Sequence, residues 1–564
     1  MNDIRRTIVW VVFAFSLVML WDQWQVYNGR QATFFRTATP PATSASAPAS
    51  AVPPAASAPA QAASASAAAQ LPGGAPAAPV AASIPRERIE VTTDVLKLVF
   101  DTEGGNVVKS EFLKLSSQEH PDQPFVLLDD SANRFYEAQS GLIGGPFPNH
   151  KTPMKFVGDR RLADGASELV LRFESPELGG VRLNKIYTLK RGAYLMDVRH
   201  EVINASGQAV DPQVYVQLVR DGNKPPGESS FYSTFTGPAF YTEAKKFQKV
   251  EFADIDKGKA EFVHSASDGW VAMVQHYFAS AWLLPPGKLH ENFARKVENN
   301  LYAVGMITAA GSVAPGTTQT VDARLFVGPQ EEKVLESIAP GLELVKDYGF
   351  FTILSKPLYW LLDKLHGVFG NWGWSIVALV FLLKILFYPL NAKAYASMAK
   401  MKAINPKVME LRERYKDKPQ QMQVEMMRIY REEKVNPMGG CLPIMVQIPV
   451  FIALYWVLLS SVEMRGAPWV LWIHDLAAKD PYFILPVVMT LSTLLQTALN
   501  PLPPDPMQAK LMWFMPLIFS VMFFFFPAGL VLYWITNNIL TIAQQWVINT
   551  RMGVPPQFNL PKFN

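Results

Sequence analysis

Charge is scarce in this chain of 564 residues: Asp, Glu, Lys and Arg make up 18%, against roughly 25% in soluble proteins. The shortage is concentrated in long apolar runs toward the C-terminus, which excludes a wholly soluble protein. The lone cysteine, Cys441, excludes an intrachain disulfide. Placed after "NPMGG" at the start of an apolar segment, it reads as a small buried residue rather than a nucleophile. No GxxxxGK[ST] occurs, and no residue set resembles a metal cluster or a nucleophile triad, so no cofactor is expected. A net charge of +4 points to no polyanionic partner. From Thr37 to Pro85 there is no charged residue, and Ala, Pro and Ser dominate. Such a composition buries no core, so 29–85 is predicted to be a disordered tether.

Ahead of the tether, Arg5 and Arg6 precede an apolar stretch from Ile8 to Trp21 with no small-residue cleavage site after it. It reads as an uncleaved anchor over 1–28 with its N-terminus in the cytoplasm. Beyond the tether the pattern changes to short alternating segments: "VLKLVFD" (95–101), "ELVLRFE" (168–174), "VRLNKIYTLK" (181–190), "AYLMDVRHEV" (193–202) and "QVYVQLV" (213–219). Turn signals such as "EGGN" and "ELGG" separate them, so 86–340 is predicted to be one all-β sandwich domain. Residues 341–371 mix apolar clusters with charge and suit an amphipathic helix lying in the membrane interface, kinked at Pro357. Spans follow at about 373–391, 441–462, 482–499, 511–527 and 529–548, making six with the anchor. Segment 392–440 holds eleven Lys/Arg against six Asp/Glu, whereas 463–481 holds two Lys/Arg. The basic segment therefore faces the cytoplasm, with residues 29–371 outside and the 549–564 tail inside.

Segment 392–440 reads as a cytoplasmic helical hairpin turning at "YKDKPQ", with Val408, Leu411, Tyr415, Met422, Met426 and Ile429 at helical spacing. Its seven methionines suit a surface that meets varied apolar partners: a nascent chain, a targeting factor or a ribosome. Polar stripes mark several spans. Thr490, Thr493 and Thr497 fall at i, i+3, i+7 beside Gln496; Trp534, Asn537, Asn538, Thr541 and Gln545 follow a similar spacing; Gln447 lies between Pro443 and Pro449. Such stripes face either neighbouring helices or water.

Lys384 in "FLLKILFYPL" is the only charge from Trp372 to Leu390. A lone ammonium at membrane depth costs about 2.5–3.5 kcal/mol on insertion scales. The helix end at Asn391 is about 10 Å away, beyond the roughly 6 Å a lysine stem covers without strain. The other spans contain no internal Asp or Glu. The charge therefore calls for water, in a cavity open to the cytoplasm that would attract acidic groups.

The stretches "NWGWSIVALVFLLKILFYPLNAKAYASMAKMKAINPKVMELRERY", "EEKVNPMGGCLPIMVQIPVFIALYWVL", "WIHDLAAKDPYFILPVVM", "DPMQAKLMWFMPLIFSVMFFFFPAGLVLYWITNN" and "VLKLVFDTEGGNVV" closely resemble the YidC family. These are bacterial membrane-protein insertases related to the mitochondrial Oxa proteins. The resemblance implies a five-helix insertase core over 372–548 and a periplasmic β-supersandwich. It also implies a multi-pass chain in the bacterial inner membrane, functional as a monomer on nascent clients, alone or with the Sec translocon. The family's positively charged groove residue, usually arginine, falls on Lys384. Lysine keeps the charge but lacks the bidentate fork. A groove position often occupied by threonine is Val380. The groove tyrosine aligns with Trp534, next to Tyr533, while Gln447, Asn537 and Thr541 would supply further polar contacts. The client-contacting apolar wall maps to Leu442, Pro443, Ile448, Phe451 and Leu454, and to Met522, Phe526 and Pro527.

Two other readings follow from the residues. A small-anion transporter past Lys384 would need paired inverted repeats, and no convincing repeat is seen. An envelope carbohydrate-active enzyme would use the β domain, with His200, His264 and His276 as candidate bases.

Overall fold

The computed structural model describes residues 85–118, 120–225, 234–415, 418–433, 442–500 and 506–551, with Gly553 and Phe558. The predicted anchor and tether, Cys441 and most of the C-terminal tail lie outside the described residues.

Alternation of apolar and polar residues builds two antiparallel sheets. The ten-stranded sheet runs from edge to edge through β1 (Arg88–Thr92), β2 (Leu96–Asp101), β3 (Asn106–Ser116), β6 (Arg134–Ile143), β11 (Gln213–Asp221), β18 (Leu301–Ala309), β17 (His290–Glu298) and β14 (Ser265–Ala266). Short strands β4 (Pro124–Val126) and β5 (Asp129–Ser131) pair with β3 and β6. The nine-stranded sheet is β13 (Lys246–Lys249), β12 (Gly237–Thr242), β15 (Trp270–Gln275), β16 (Phe278–Leu283), β19 (Thr318–Pro329), β10 (Leu195–Asn204), β9 (Val181–Lys190), β8 (Glu168–Glu174) and β7 (Lys155–Gly158). Both sheets contribute to one apolar core that includes Phe100, Phe112, Phe173, Tyr187, Leu218 and Trp282.

Polar side chains also bridge the sheets inside that core. The Trp282 indole donates to the Gln217 carbonyl at 3.0 Å. Lys185, wholly buried, donates to the carbonyls of Gly104 and Ser140 at 2.6 Å each. Burial alone pushes its ammonium down to about 7. His200 pairs with Lys185 in the β9–β10 register and meets the Ser140 hydroxyl at 2.8 Å through Nε2. With no water to stabilise its charged form, and with the Lys185 ammonium nearby, its imidazole is pushed down to about 3.

Helices α1 (Phe252–Asp256) and α2 (Glu332–Ile338) belong to the β region. After them come α3 (Thr352–Phe369), α4 (Trp372–Leu386), α5 (Tyr388–Arg414), α6 (Pro419–Glu432), α7 (Leu442–Ser460), α8 (Ile484–Leu499), α9 (Pro506–Met522) and α10 (Ala528–Arg551). Helix α3 continues through Pro357, so the expected kink does not break it. It buries Ser355, Tyr359 and Leu362 on one side, while Ile353, Trp360 and Val368 are exposed on the other.

Among the described residues no single helix is both long and apolar enough to cross a membrane. Trp372–Leu386 and Tyr388–Ser397 satisfy both conditions together, and they are bent by 63°. The predicted span 373–391 is thus two helices rather than one. The cause is local: Pro389 in the first turn of α5 cannot continue α4, because it has no N–H and its ring would strike the carbonyl four residues back.

The C-terminal end of α7 is held by the β region and by the segment that follows it. His276, between β15 and β16, meets the Leu459 carbonyl at 3.0 Å. The Ser460 hydroxyl donates to the Asp347 carbonyl at 2.6 Å. Lys346, whose side chain is fully buried, pairs with Glu463 at 3.2 Å, and Glu463 also accepts from the Tyr359 hydroxyl at 2.6 Å. Arg465 lies 5.2–5.4 Å from the ring centres of Phe125, Tyr277 and Phe278.

Candidate functional site

Three helices wall the pocket. α4 brings Lys384; α7 brings Gln447 and Phe451; α10 brings Tyr533, Trp534 and Asn537. The start of α10 is fixed from outside, where the amides of Ala528 and Gly529 donate to the carbonyls of Ala478 and Leu476 at 2.7 and 2.9 Å. Those are donors that a helix N-terminus leaves without intrahelical partners. Gly529 suits the close approach, since a Cβ there would stand 3.1 Å from the Leu476 carbonyl oxygen.

The pocket is a half-open cleft of about 230 Å³ and is also lined by Val380, Leu383, Phe387, Ile448 and Val450. Among the described residues no carboxylate lines it. Lys384, half-buried, donates to the Thr541 hydroxyl at 2.7 Å, and that hydroxyl donates to the Asn537 carbonyl at 2.6 Å. An ammonium carries three N–H donors, and this hydroxyl engages one of them. The site therefore offers a cation with donor capacity to spare beside an aromatic wall. Phe451 lies 4.3 Å from Trp534 and 5.5 Å from Tyr533 between ring centres.

Of the residues expected from the sequence, Lys384, Gln447, Ile448, Phe451, Tyr533, Trp534 and Asn537 all line this one pocket, and Thr541 joins it through Lys384. Ile448 is exposed, whereas Leu454, Phe526 and Pro527 are buried in the bundle. Phe526 reaches the pocket's aromatic wall through Phe523, which lies 5.4 Å from Phe526 and 5.3 Å from Trp534. Met522 is exposed at the end of α9. Leu442 and Pro443 begin α7, and their side chains lie outside the described residues.

The polar stripe of α10 divides between two faces. Asn538 turns to α8, donating to Ser492 and Thr493 at 3.0 and 2.9 Å, and Gln545 donates to the Leu499 carbonyl. Thr490, Thr493 and Thr497 return their hydroxyls to carbonyls of their own helix. Of the three, Thr493 also meets α10, through Asn538.

Two residues escaped the sequence reading. Asn391 accepts from Gln447 at 2.8 Å and donates to Gln544 at 3.1 Å, and Gln544 donates to the Lys384 carbonyl at 3.3 Å. The signal for Gln544 was its spacing from Asn537 and Thr541, which puts all three on one helix face; Asn391 gave none.

The histidines of the β region gather no site. His200 is sealed in the core, His264 is exposed beside Phe262, and His276 is spent on the Leu459 carbonyl.

Apolar helices bent around a lysine-bearing pocket, joined to an antiparallel β sandwich, define a helical-bundle membrane protein with a large extramembrane domain. Residues 88–361 match the family model for the YidC periplasmic domain, and residues 364–554 match that for the 60Kd inner membrane protein. The chain is 55% identical over 552 residues to membrane protein insertase YidC of Cupriavidus taiwanensis, covering 98% of each. It is 54% identical over 552 residues to that of Ralstonia nicotianae and 51% over 554 to that of Bordetella pertussis, again covering 98% of each chain. Among solved structures, an active YidC insertase with its first transmembrane domain resolved aligns over 82% of this chain and 93% of its own. It does so at 18% identity and a TM-score of 0.39. The chain belongs to the YidC family of membrane protein insertases, and its place is the inner membrane.

Proposed function

We propose that this chain inserts membrane proteins by taking a client's hydrophilic segment into the pocket between α4, α7 and α10 while its apolar helix passes into lipid. The observation that carries this reading is Lys384, a cation in a pocket that no carboxylate lines among the described residues, hydrogen-bonded to a hydroxyl. An acidic client segment entering from the cytoplasm meets compensating charge there, and its polar groups need not cross the full hydrocarbon thickness unaided. Gln447, Asn537 and Thr541 add polar contacts. Ile448, Phe451 and the exposed Met522 form the apolar wall along which the client helix leaves, with the buried Leu454, Phe526 and Pro527 supporting it. Release into lipid is driven by apolar transfer, about 25 cal/mol per Å² removed from water. The work is non-covalent and uses no cofactor.

In this reading both termini are cytoplasmic, residues 29–371 are periplasmic, and α3 lies in the outer interface. The segment 392–440 meets the ribosome or a targeting factor; Met409, Val424 and Met427 are exposed on its helices. The chain acts as a monomer, alone or beside the Sec translocon.

The test is insertion of a client with an acidic translocated tail into proteoliposomes, scored by protease protection. Lys384→Ala is expected to lower insertion at least fivefold, Lys384→Arg to retain it, and neutralising the tail to remove the difference. Equal insertion of the acidic client by Lys384→Ala and the parent would refute the charge role.

A further inference from the structure

Beside the pocket, a run of side-chain amides links three helices. Gln447 of α7 donates to Asn391 of α5, Asn391 donates to Gln544 of α10, and Gln544 donates to the carbonyl of Lys384. Asn391 is buried, while Gln447 and Gln544 are half-buried. The chain of bonds runs from the helix that carries one wall of the pocket to the helix that carries the other.

Two of its three residues, one end and the middle link, sit at weak points in the backbone. Asn391 lies in the first turn of α5, just past the 63° bend. Gln447 is two residues before Pro449, which has no N–H for the carbonyl of residue 445 and so leaves a gap in the α7 ladder. The bridge contains no charge, so parting it strands no ion.

Its chemistry also matches the traffic. A carboxamide carries the same kind of donor and acceptor as a peptide group, so exchanging an Asn–Gln bond for an amide–peptide bond leaves the number of hydrogen bonds unchanged. We propose that Asn391, Gln447 and Gln544 form an amide latch across the cytoplasmic end of the groove, opened when a client's peptide groups take over its bonds. Asn391 is a positioning residue in this scheme: it holds α7 to α10 and touches the client only when the latch is open. The inference rests on the groove reading above.

The latch is tested in the full-length chain with the native thiol removed by Cys441→Ser. Asn391→Cys and Gln447→Cys are joined by a short bis-maleimide that a reductant can cleave, and the protein is reconstituted into vesicles. Cross-linking is expected to lower insertion at least tenfold relative to the same variant before reaction, and cleavage to restore it. The two single-cysteine chains, treated identically, control for thiol modification. Insertion by the cross-linked protein within twofold of its unreacted level overturns the latch and shows the amides to be static packing.

A second measurement does not need insertion. In a Cys441→Ser/Val450→Cys chain, whose thiol lines the pocket and whose latch is intact, adding Asn391→Leu should speed reaction with a bulky, lipid-impermeant thiol reagent at least tenfold, because α7 is no longer held. An unchanged rate overturns the latch as well. Lys384→Ala in the same insertion assay separates the two ideas. If it impairs acidic clients while the cross-link does nothing, the groove stands and the latch falls; if it has no effect, the groove reading itself falls.

Discussion

Replacing Lys346 by methionine should loosen the join between the β region and the helices by an amount that can be worked out. The Lys346 side chain is 0% exposed and that of Glu463 is 16% exposed. Removing one partner of a buried ion pair costs about 3–5 kcal/mol because the other is left uncompensated. Here the cost is nearer the lower end, since Glu463 keeps partial solvent access and the Tyr359 hydroxyl at 2.6 Å. Loss of the ammonium 4.0 Å from the centre of the Tyr359 ring adds up to about 1 kcal/mol, while methionine refills most of the stem's volume. A net cost of about 3–4 kcal/mol is about a 150- to 900-fold change in an opening equilibrium. Hydrogen exchange of the full chain in detergent, read on amides between Leu342 and Phe369, reports that opening directly. The double variant Lys346→Met/Glu463→Gln should recover most of the loss, because it leaves no charge buried alone. Exchange within threefold of the parent in the single variant would refute the reasoning, as would a double variant no better than the sum of its parts.

Two further outcomes follow. His200, pushed from 6.5 to about 3 by burial and by the Lys185 ammonium, stays neutral in the folded chain where the unfolded chain takes up a proton. Stability therefore falls as pH drops from 6.5 toward 3, by up to about 1.4 kcal/mol per pH unit for this group. His200→Gln should remove about one proton's worth, up to about 1.4 kcal/mol per pH unit, of the acid dependence of β-sandwich hydrogen exchange between pH 6.5 and 5, while His150, pushed to about 3, and His276, pushed to about 4, keep contributing; an unchanged slope would show that His200 does not titrate in this way. Gly104→Ala should lower the thermal midpoint of the β region and the yield of folded chain. The backbone there has φ +76, and a Cβ would stand 2.1 Å from the His150 carbonyl oxygen. The loop must shift, moving the carbonyl that receives Lys185, at a cost of about 2–4 kcal/mol; a midpoint unchanged within a degree would contradict this.

Much of the sandwich was legible because strand periodicity is local. "ELVLRFE" and "VRLNKIYTLK" are strands over the residues their alternation marked, and "AYLMDVRHEV" begins two residues early against Leu195–Asn204. What alternation does not encode is the partner across the core, so the Lys185–Ser140–His200 cluster was invisible and His200 stood as a candidate base. The helices show the same division. Lys384 was identifiable because a charge in a greasy run has an energetic cost wherever the run packs. The α10 stripe could not be assigned to a face from spacing alone, since Asn537 and Asn538 are neighbours in sequence yet turn to the pocket and to α8. Asn391 was read as the end of a span because nothing in "YPLNAKAY" announces a helix that bends and then continues to Arg414. Its role depends on Gln447 and Gln544, 56 and 153 residues away.

The underside of α3 has one more implication. Its Ser355 hydroxyl rests on the Ala453 carbonyl of α7 at 3.2 Å, and Gly349, just ahead of it, has no side chain to hold Trp456 off. The opposite side shows Ile353, Trp360 and Val368 to the surroundings, and in the proposed topology the helix floats at the level of the lipid headgroups. A float riveted to a mast transmits the height of the surface. A thicker or thinner bilayer would be felt first at α3 and then as a vertical pull on α7, six residues above Gln447.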